Sequence, residues 1–317
     1  MTRRAHDLSY HRVVRSAASR LVIATPVALI AAFVFLSTSA GSDNGTPAST
    51  VPVGGTTTTS TAAPTTTTTT STTTTSPTHN PDNPFTSHAT ALYLRGRDGL
   101  VTAAVYDVAT GATFTYHNGY HQRTASIVKI DILADLLYES QHSGRPLTAK
   151  QQSLATSMIE ASNDAAATKL WAEIGGRDAL DSFNELIGFK STVPSWSWGD
   201  ISTTPLDQLQ LLKVIALPNS ILDSASREYE TTLMEHVIGG QQFGLGWGSP
   251  AHATVAMKDG WYDEIPTGWQ VNTTGFVQYQ GRFYLVTIMT ASDPNETYGM
   301  NTVTTLSSDI WKYLLPR

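Results

Sequence analysis

The chain contains no cysteine, which excludes disulfides, thiolate zinc sites, cysteine nucleophiles and lipid attachment through a cysteine within these residues. The fold must hold by packing alone. Charge is also sparse, with 15% of the 317 residues Asp, Glu, Lys or Arg and a formal net charge of −6. That mild acidity offers no basic footprint for nucleic acid, so no nucleic-acid partner is expected. Lysine is scarce, with seven in the chain, and only Lys129 has a serine three residues before it. Large apolar residues are almost missing from about Gly41 to Pro84, where Thr, Ser, Pro and Gly dominate. Such a segment cannot bury a core and is expected to be an extended stalk.

Before that tract, Arg3, Arg4, Arg12, Arg15 and Arg20 precede an uncharged apolar run from Leu21 to Leu36. A positive flank followed by an apolar run means export, with the arginine side left in the cytoplasm. Thr38-Ser39-Ala40 is a small-residue cleavage site, yet the long basic region and the length of the run suit an uncleaved signal anchor, which is the preferred reading. The expected order is a basic cytoplasmic region 1–20, a signal anchor or signal peptide 21–40, a stalk 41–84 and a globular domain 85–317. The product is either a single-pass protein of the cell membrane, held through residues 21–36 with its domain outside, or a secreted one if the signal is cleaved.

In the globular part, 85–95 reads as a helix, and 101–107 and 112–116 as a hairpin turning at Ala109-Thr110-Gly111. Thr148 and Gln151 form a capping box, and helices are expected over 164–171 and 178–187 and from Pro205 to Ile215. After Gly239-Gly240 the pattern reverts to strands at 254–258, 274–279 and 283–290, then a closing helix at 306–315. This order predicts an α+β domain whose antiparallel sheet joins early and late strands, with helices inserted between them.

Within it, Thr124-Ala125-Ser126-Ile127-Val128-Lys129-Ile130 puts serine and lysine three apart at the head of an apolar-periodic segment. On a helix such positions are neighbours across one turn, so hydroxyl and amine would touch. Serine is a weak nucleophile at neutral pH, and a lysine can accept its proton if something lowers the lysine's pKa. A solvated lysine one turn into a helix is the plain alternative. Met158-Ile159-Glu160-Ala161-Ser162-Asn163-Asp164 sets a hydroxyl and two polar groups where one helix stops and the next starts. Met257-Lys258-Asp259-Gly260-Trp261 sets a lysine beside a glycine on a late strand. Singly, these are a helix-cap cluster and a strand end.

As an ordered triplet they resemble the penicillin-recognising serine hydrolases, the class A β-lactamases and D-alanyl-D-alanine peptidases, whose motifs are Ser-x-x-Lys, Ser-Asp-Asn and Lys-Thr-Gly. The resemblance runs from about Ala89 to the end. It implies a five-stranded antiparallel sheet with flanking helices and an inserted helical subdomain, working as a monomer without metal or other cofactor. It also implies that Ser126 is the nucleophile, Lys129 its base, Ser162 a proton relay and Lys258 a positive charge for a substrate carboxylate. The backbone N–H groups of Ser126 and of Trp261, after Gly260, would form the oxyanion hole.

Three departures bear on activity. Asp164 stands where the family has asparagine, and a carboxylate cannot donate unless protonated; an ion pair with Lys129 would hold that lysine charged. Asp259 replaces the hydroxyl residue of the third motif and would repel an anionic substrate. Between Phe189 and Pro205 there is no Glu-x-x-Leu-Asn, the segment whose glutamate activates the deacylating water in class A enzymes.

The expected function is an acyl-enzyme serine hydrolase acting on a peptide or β-lactam-like substrate of the cell envelope, with peptidoglycan as the implied polymer. The alternative is a catalytically impaired pseudoenzyme binding wall glycopeptide or a protein partner, and the third is a true β-lactamase. His117 and His121 have metal spacing, but Gly119 between them makes a loop, so no metal site is expected. Ser195-Trp196-Ser197-Trp198 either packs at an edge, the preferred reading, or lines a substrate groove. Tyr262, Asp263 and Glu264 either border the site or lie in a solvated loop.

Overall fold

The computed structural model describes residues 83–314. The basic region, the apolar run 21–36 and nearly all of the Thr-rich tract lie outside the described residues. Among those described, no helix is long and apolar enough to cross a membrane.

The chain opens with α1 (His88–Arg95), capped by Ser87, whose side chain accepts from the Thr90 N–H. The hairpin follows as β1 (Leu100–Asp107) and β2 (Thr113–Tyr116). After a short β3 (Gln122–Arg123), a 3₁₀ turn over Ala125–Ile127 leads into α2 (Val128–Ser143). The helical block continues with α3 (Ala149–Glu160), opened by the Thr148/Gln151 capping box, then α4 (Asp164–Ile174) and α5 (Arg177–Ile187). A two-residue β4 (Ser202–Thr203) pairs with β3, and α6 (Pro205–Ala216) and α7 (Ser224–Glu235) return the chain to the sheet. The short α8 (Leu245–Gly248) precedes three long strands, β5 (Thr254–Glu264), β6 (Gly268–Tyr279) and β7 (Arg282–Asp293), and α9 (Glu296–Leu314) closes the domain.

The sheet is fully antiparallel in the order β2-β1-β7-β6-β5, the expected joining of early to late strands. It separates two apolar cores. Alternation along β1 sends Ala104 to the core shared with α2 and α6, and Ala103 and Val105 to the core under α9, beside Ile310 and Trp311. The inner strands are covered on both faces, which is why β7 is buried almost without interruption. Helix α2 is buried at every position from Val128 to Leu137, including Lys129, Asp131 and Asp135. A helix buried all round lies inside the domain, and its polar residues need a reason to be there.

Several expected bounds moved: β6 begins at Gly268 rather than 274, and α9 at Glu296 rather than 306. β5 does not stop at Lys258 but runs on to Glu264, because a strand can pass through Gly260 where another backbone comes close. Helix α7 has few apolar residues and escaped the periodicity; it is fixed instead by Asp223, whose side chain accepts from the Ser226 N–H.

Candidate active site

Three elements converge on one point. The 3₁₀ turn carries Ser126, held from two sides. The Asn272 side-chain amide on β6 donates to the Arg123 and Thr124 carbonyls at 2.9 and 3.0 Å, and the Thr124 N–H donates to the Ile201 carbonyl at 2.8 Å. Ala125 takes a left-handed conformation, φ 48°, costing an L-residue about 1 kcal/mol that the clamps must offset. One turn later, α2 places the Lys129 amine 2.9 Å from Ser126 Oγ.

The second element is the α3–α4 junction. Asn163 does what its type predicts: its side chain accepts from the Ala166 N–H and caps α4. Ser162, at φ 54°, is turned inward, and Lys129 Nζ donates to its carbonyl at 2.6 Å and to its Oγ at 3.1 Å. Asp164 opens α4 and accepts from Lys129 Nζ through Oδ1 at 2.6 Å, while its side chain stays 74% exposed.

The third element is edge strand β5. Lys258 points to the same place, its Nζ donating to Ser162 Oγ at 2.9 Å and to the Asp259 carbonyl at 2.8 Å. Gly260 has a steric reason to lack a side chain, since a Cβ there would lie 2.5 Å from the Ser126 nitrogen and 2.8 Å from that of Ile127. The strand thus lies directly against the Ser126 turn and brings the Trp261 backbone alongside it.

The electrostatics follow from burial. Desolvation pushes the Lys129 amine below its ordinary value, against the hydrogen bond and charge of Asp164, which act upward. Lys258 is pushed down to about 7, first by burial and then by the nearby Lys129 charge, with Asp259 and Asp164 opposing. Asp259 sits on the other face of β5 from Lys258, fully buried, and neither carboxyl oxygen has a hydrogen-bond partner among the described residues. Burial pushes its carboxyl well above the usual range and favours the neutral acid. The expectation that Asp259 repels anions from the site thereby loses its physical basis.

A cleft of ≈ 160 Å³ opens over Ser126, walled by Asp164, Trp198, Asp200, Trp261 and Tyr262. Trp198 comes from the segment expected to pack at an edge; its ring lies 5.0 Å from Lys129 Nζ, and its indole N–H donates to Thr168. Asp200 and Arg123 had no signal in the sequence. They form an ion pair at 2.7 Å, and Arg123 also meets Glu264 at 2.8 Å, tying the loop after α5 to the end of β5. Away from the cleft, Asp131 and Asp135 on α2 and Glu230 on α7 form a buried acidic group. Burial, then a neighbouring carboxylate, raises all three, and Asp135 reaches about 7.

The family model described as "Beta-lactamase enzyme family" matches residues 141–314, more than half of the chain. The chain belongs to the beta-lactamase enzyme family. The matched span contains Ser162 and Lys258, whereas Ser126 and Lys129 lie just before it. Proteins named "Putative lipoprotein LppW" from Mycobacterium tuberculosis and Mycobacterium bovis are 28% identical over 199 residues, covering 59% of this chain. The chain spans 62% of the length of these curated relatives. Among solved structures, the TLA-1 extended-spectrum beta-lactamase is similar at a TM-score of 0.65 and 16% identity, over 71% of this chain and 96% of that one. PBP-A is similar at 0.60 and 20%, over 70% and 92%, and a beta-lactamase from Chitinophaga pinensis at 0.63 and 19%, over 70% and 96%. At these identities the structural likeness shows the fold, a beta-lactamase fold with its five-stranded antiparallel sheet and flanking helices.

Proposed function

We propose that this member of the beta-lactamase family is an exported serine hydrolase working through an acyl-enzyme on a peptide or related substrate of the cell envelope. The observation that carries the reading is the Lys129 amine, buried, depressed in pKa and 2.9 Å from Ser126 Oγ. In its neutral form Lys129 takes the Ser126 proton as Oγ attacks the substrate carbonyl, and the Ser126 and Trp261 backbone N–H groups receive the developing oxyanion. Ser162 passes a proton to the leaving group, and Lys258 supplies positive charge behind it. Water then releases the acyl group.

A second reading has one specific observation behind it. The 2.6 Å contact of Asp164 Oδ1 with Lys129 Nζ favours the protonated amine, the state that cannot act as a base. On that reading the chain is a pseudoenzyme that binds wall glycopeptide or a protein partner. Envelope placement is supported by the apolar run 21–36 and by the word lipoprotein in the relatives' name. Since these 317 residues hold no cysteine to carry a lipid, the run itself is the proposed attachment if it is retained.

The test is intact mass after incubation with an uncharged fluorophosphonate and with penicillin. An adduct on wild type that is missing from Ser126→Ala supports the hydrolase. No adduct above that of Ser126→Ala, with Asp164→Asn equally inert, would leave the binding protein. Many turnovers of a chromogenic cephalosporin would instead indicate a true β-lactamase.

A further inference from the structure

Asp164 is an acceptor at the mouth of the site. One of its oxygens is taken by Lys129, and the exposed remainder of the carboxylate faces the cleft two short contacts from Ser126 Oγ. An ionised carboxylate has about four lone-pair positions and nothing to donate, so it recognises an N–H or an ammonium and rejects a bare carbonyl. The rest of the cleft agrees. Its other carboxylate is Asp200, and none of the described residues lining it is basic. Arg123, at the rim, is shared between Asp200 and Glu264. Lys258 is fully buried with its Nζ donating to Ser162 and to a backbone carbonyl, so it presents no free cation to an incoming anion. The walls of Trp198, Trp261 and Tyr262 are aromatic, surfaces that attract cations.

Resting on the hydrolase reading above, we infer that Asp164 is a specificity-determining residue, selecting acyl donors that carry a free ammonium next to the reacting carbonyl over N-acylated or anionic ones. The ammonium nitrogen of an aminoacyl group is two bonds from its carbonyl carbon, so a carboxylate this close to the nucleophile can hold one while Ser126 reaches the other. An ammonium on Asp164 also offsets the negative charge that favours protonated Lys129. The substrate would thereby loosen the ion pair that restrains the base.

The experiment compares three p-nitroanilides on the full chain: alanyl with a free amine, N-acetylalanyl and N-succinylalanyl, each as both enantiomers. Expected is a kcat/KM at least tenfold higher for the ammonium than for the neutral compound, with the anion lowest. Asp164→Asn should bring the first two within about threefold. A variant disturbed only in its packing would slow all three alike, and that outcome overturns the inference. If none turns over, protection of Ser126 from fluorophosphonate by the matching alaninamides is read in the same order. Equal protection, no protection, or preference for the N-acyl or anionic form overturns the inference while leaving the hydrolase intact. Failure of the fluorophosphonate to label Ser126 at all refutes the hydrolase reading itself, and this inference with it.

Discussion

Replacing Asp164 by asparagine removes one charge and keeps the shape, which isolates what that charge does to Lys129. The carboxylate is 2.6 Å from the amine, but its side chain is 74% exposed, so water screens most of the bare attraction. Exposed ion pairs are worth about 0.2–1 kcal/mol. Here one partner is wholly buried, which places the pair at or slightly above the top of that range. A free-energy difference of that size changes the neutral fraction of the amine on the acid limb by roughly fivefold to tenfold, at about 1.4 kcal/mol per factor of ten. Asp164 raises the Lys129 pKa, so its removal lowers it, and more of the amine is neutral at a given pH. The assay is the rate of Ser126 labelling by an uncharged fluorophosphonate across pH, where substrate charge plays no part. The acid limb should move to lower pH in Asp164→Asn, giving roughly fivefold to tenfold faster labelling on that limb. An unmoved limb, or one displaced upward, would refute the claim that this carboxylate restrains the base.

Gly260→Ala should cut Ser126 labelling on the order of 10²–10³-fold, the cost of disturbing an oxyanion donor, because its Cβ would lie 2.5 Å from the Ser126 nitrogen; labelling at the wild-type rate in a folded variant would refute that close approach. Asn272→Ala removes two hydrogen bonds to the Ser126 turn, leaving the Thr124 carbonyl only the 3.3 Å donation from the Ile127 N–H, and should cost about 1–3 kcal/mol in chemical denaturation. An unchanged midpoint would show that the amide clamps nothing. Asp135 holds its proton more tightly when folded, at about 7, than at its ordinary 3.8. Its contribution to stability is therefore full below that ordinary value and is lost as pH rises to about 7. Lys258, depressed from 10.5 to about 7, has the opposite sign, destabilising below about 7 and recovering as pH rises to 10.5. The two are separated by comparing wild type with Asp135→Asn, in which Tm should fall less between about pH 4 and pH 7; equal falls would exclude Asp135 as the cause.

The sheet was legible because its strands carry β-branched residues and turn chemistry at their ends, and the capping box at Thr148 and Gln151 was readable as a local hydrogen-bond pattern. Helix α7 was not, since its buried face sets the polar Ser226 and Glu230 in line with Leu233 and Met234, which interrupts the apolar stripe. The Ser126 and Lys129 contact was legible in their three-residue spacing, whereas the convergence of Ser162 and Lys258 on it was anticipated only through the family resemblance, since neither is distinctive within its own element. Asp200 and Arg123 could not be anticipated, as they meet across 77 residues, one from the loop after α5 and the other from the two-residue β3, segments too short to show a period. The place of Asp259 depended on whether β5 continued beyond Lys258. A strand that continues sends alternate residues to opposite faces, and that one fact turned an expected substrate contact into a buried acid.

Ser162 Oγ lies 3.1 Å from the Lys129 nitrogen and 2.9 Å from that of Lys258. A hydroxyl has two lone pairs and one proton. With both amines protonated, both lone pairs are engaged and the proton has no direction left but outward, towards whatever occupies the cleft. In the proposed reaction Lys129 begins neutral and becomes an ammonium as it takes the proton of Ser126. The first chemical step therefore sets the polarity of Ser162, turning its proton towards the departing group at the moment that group needs it.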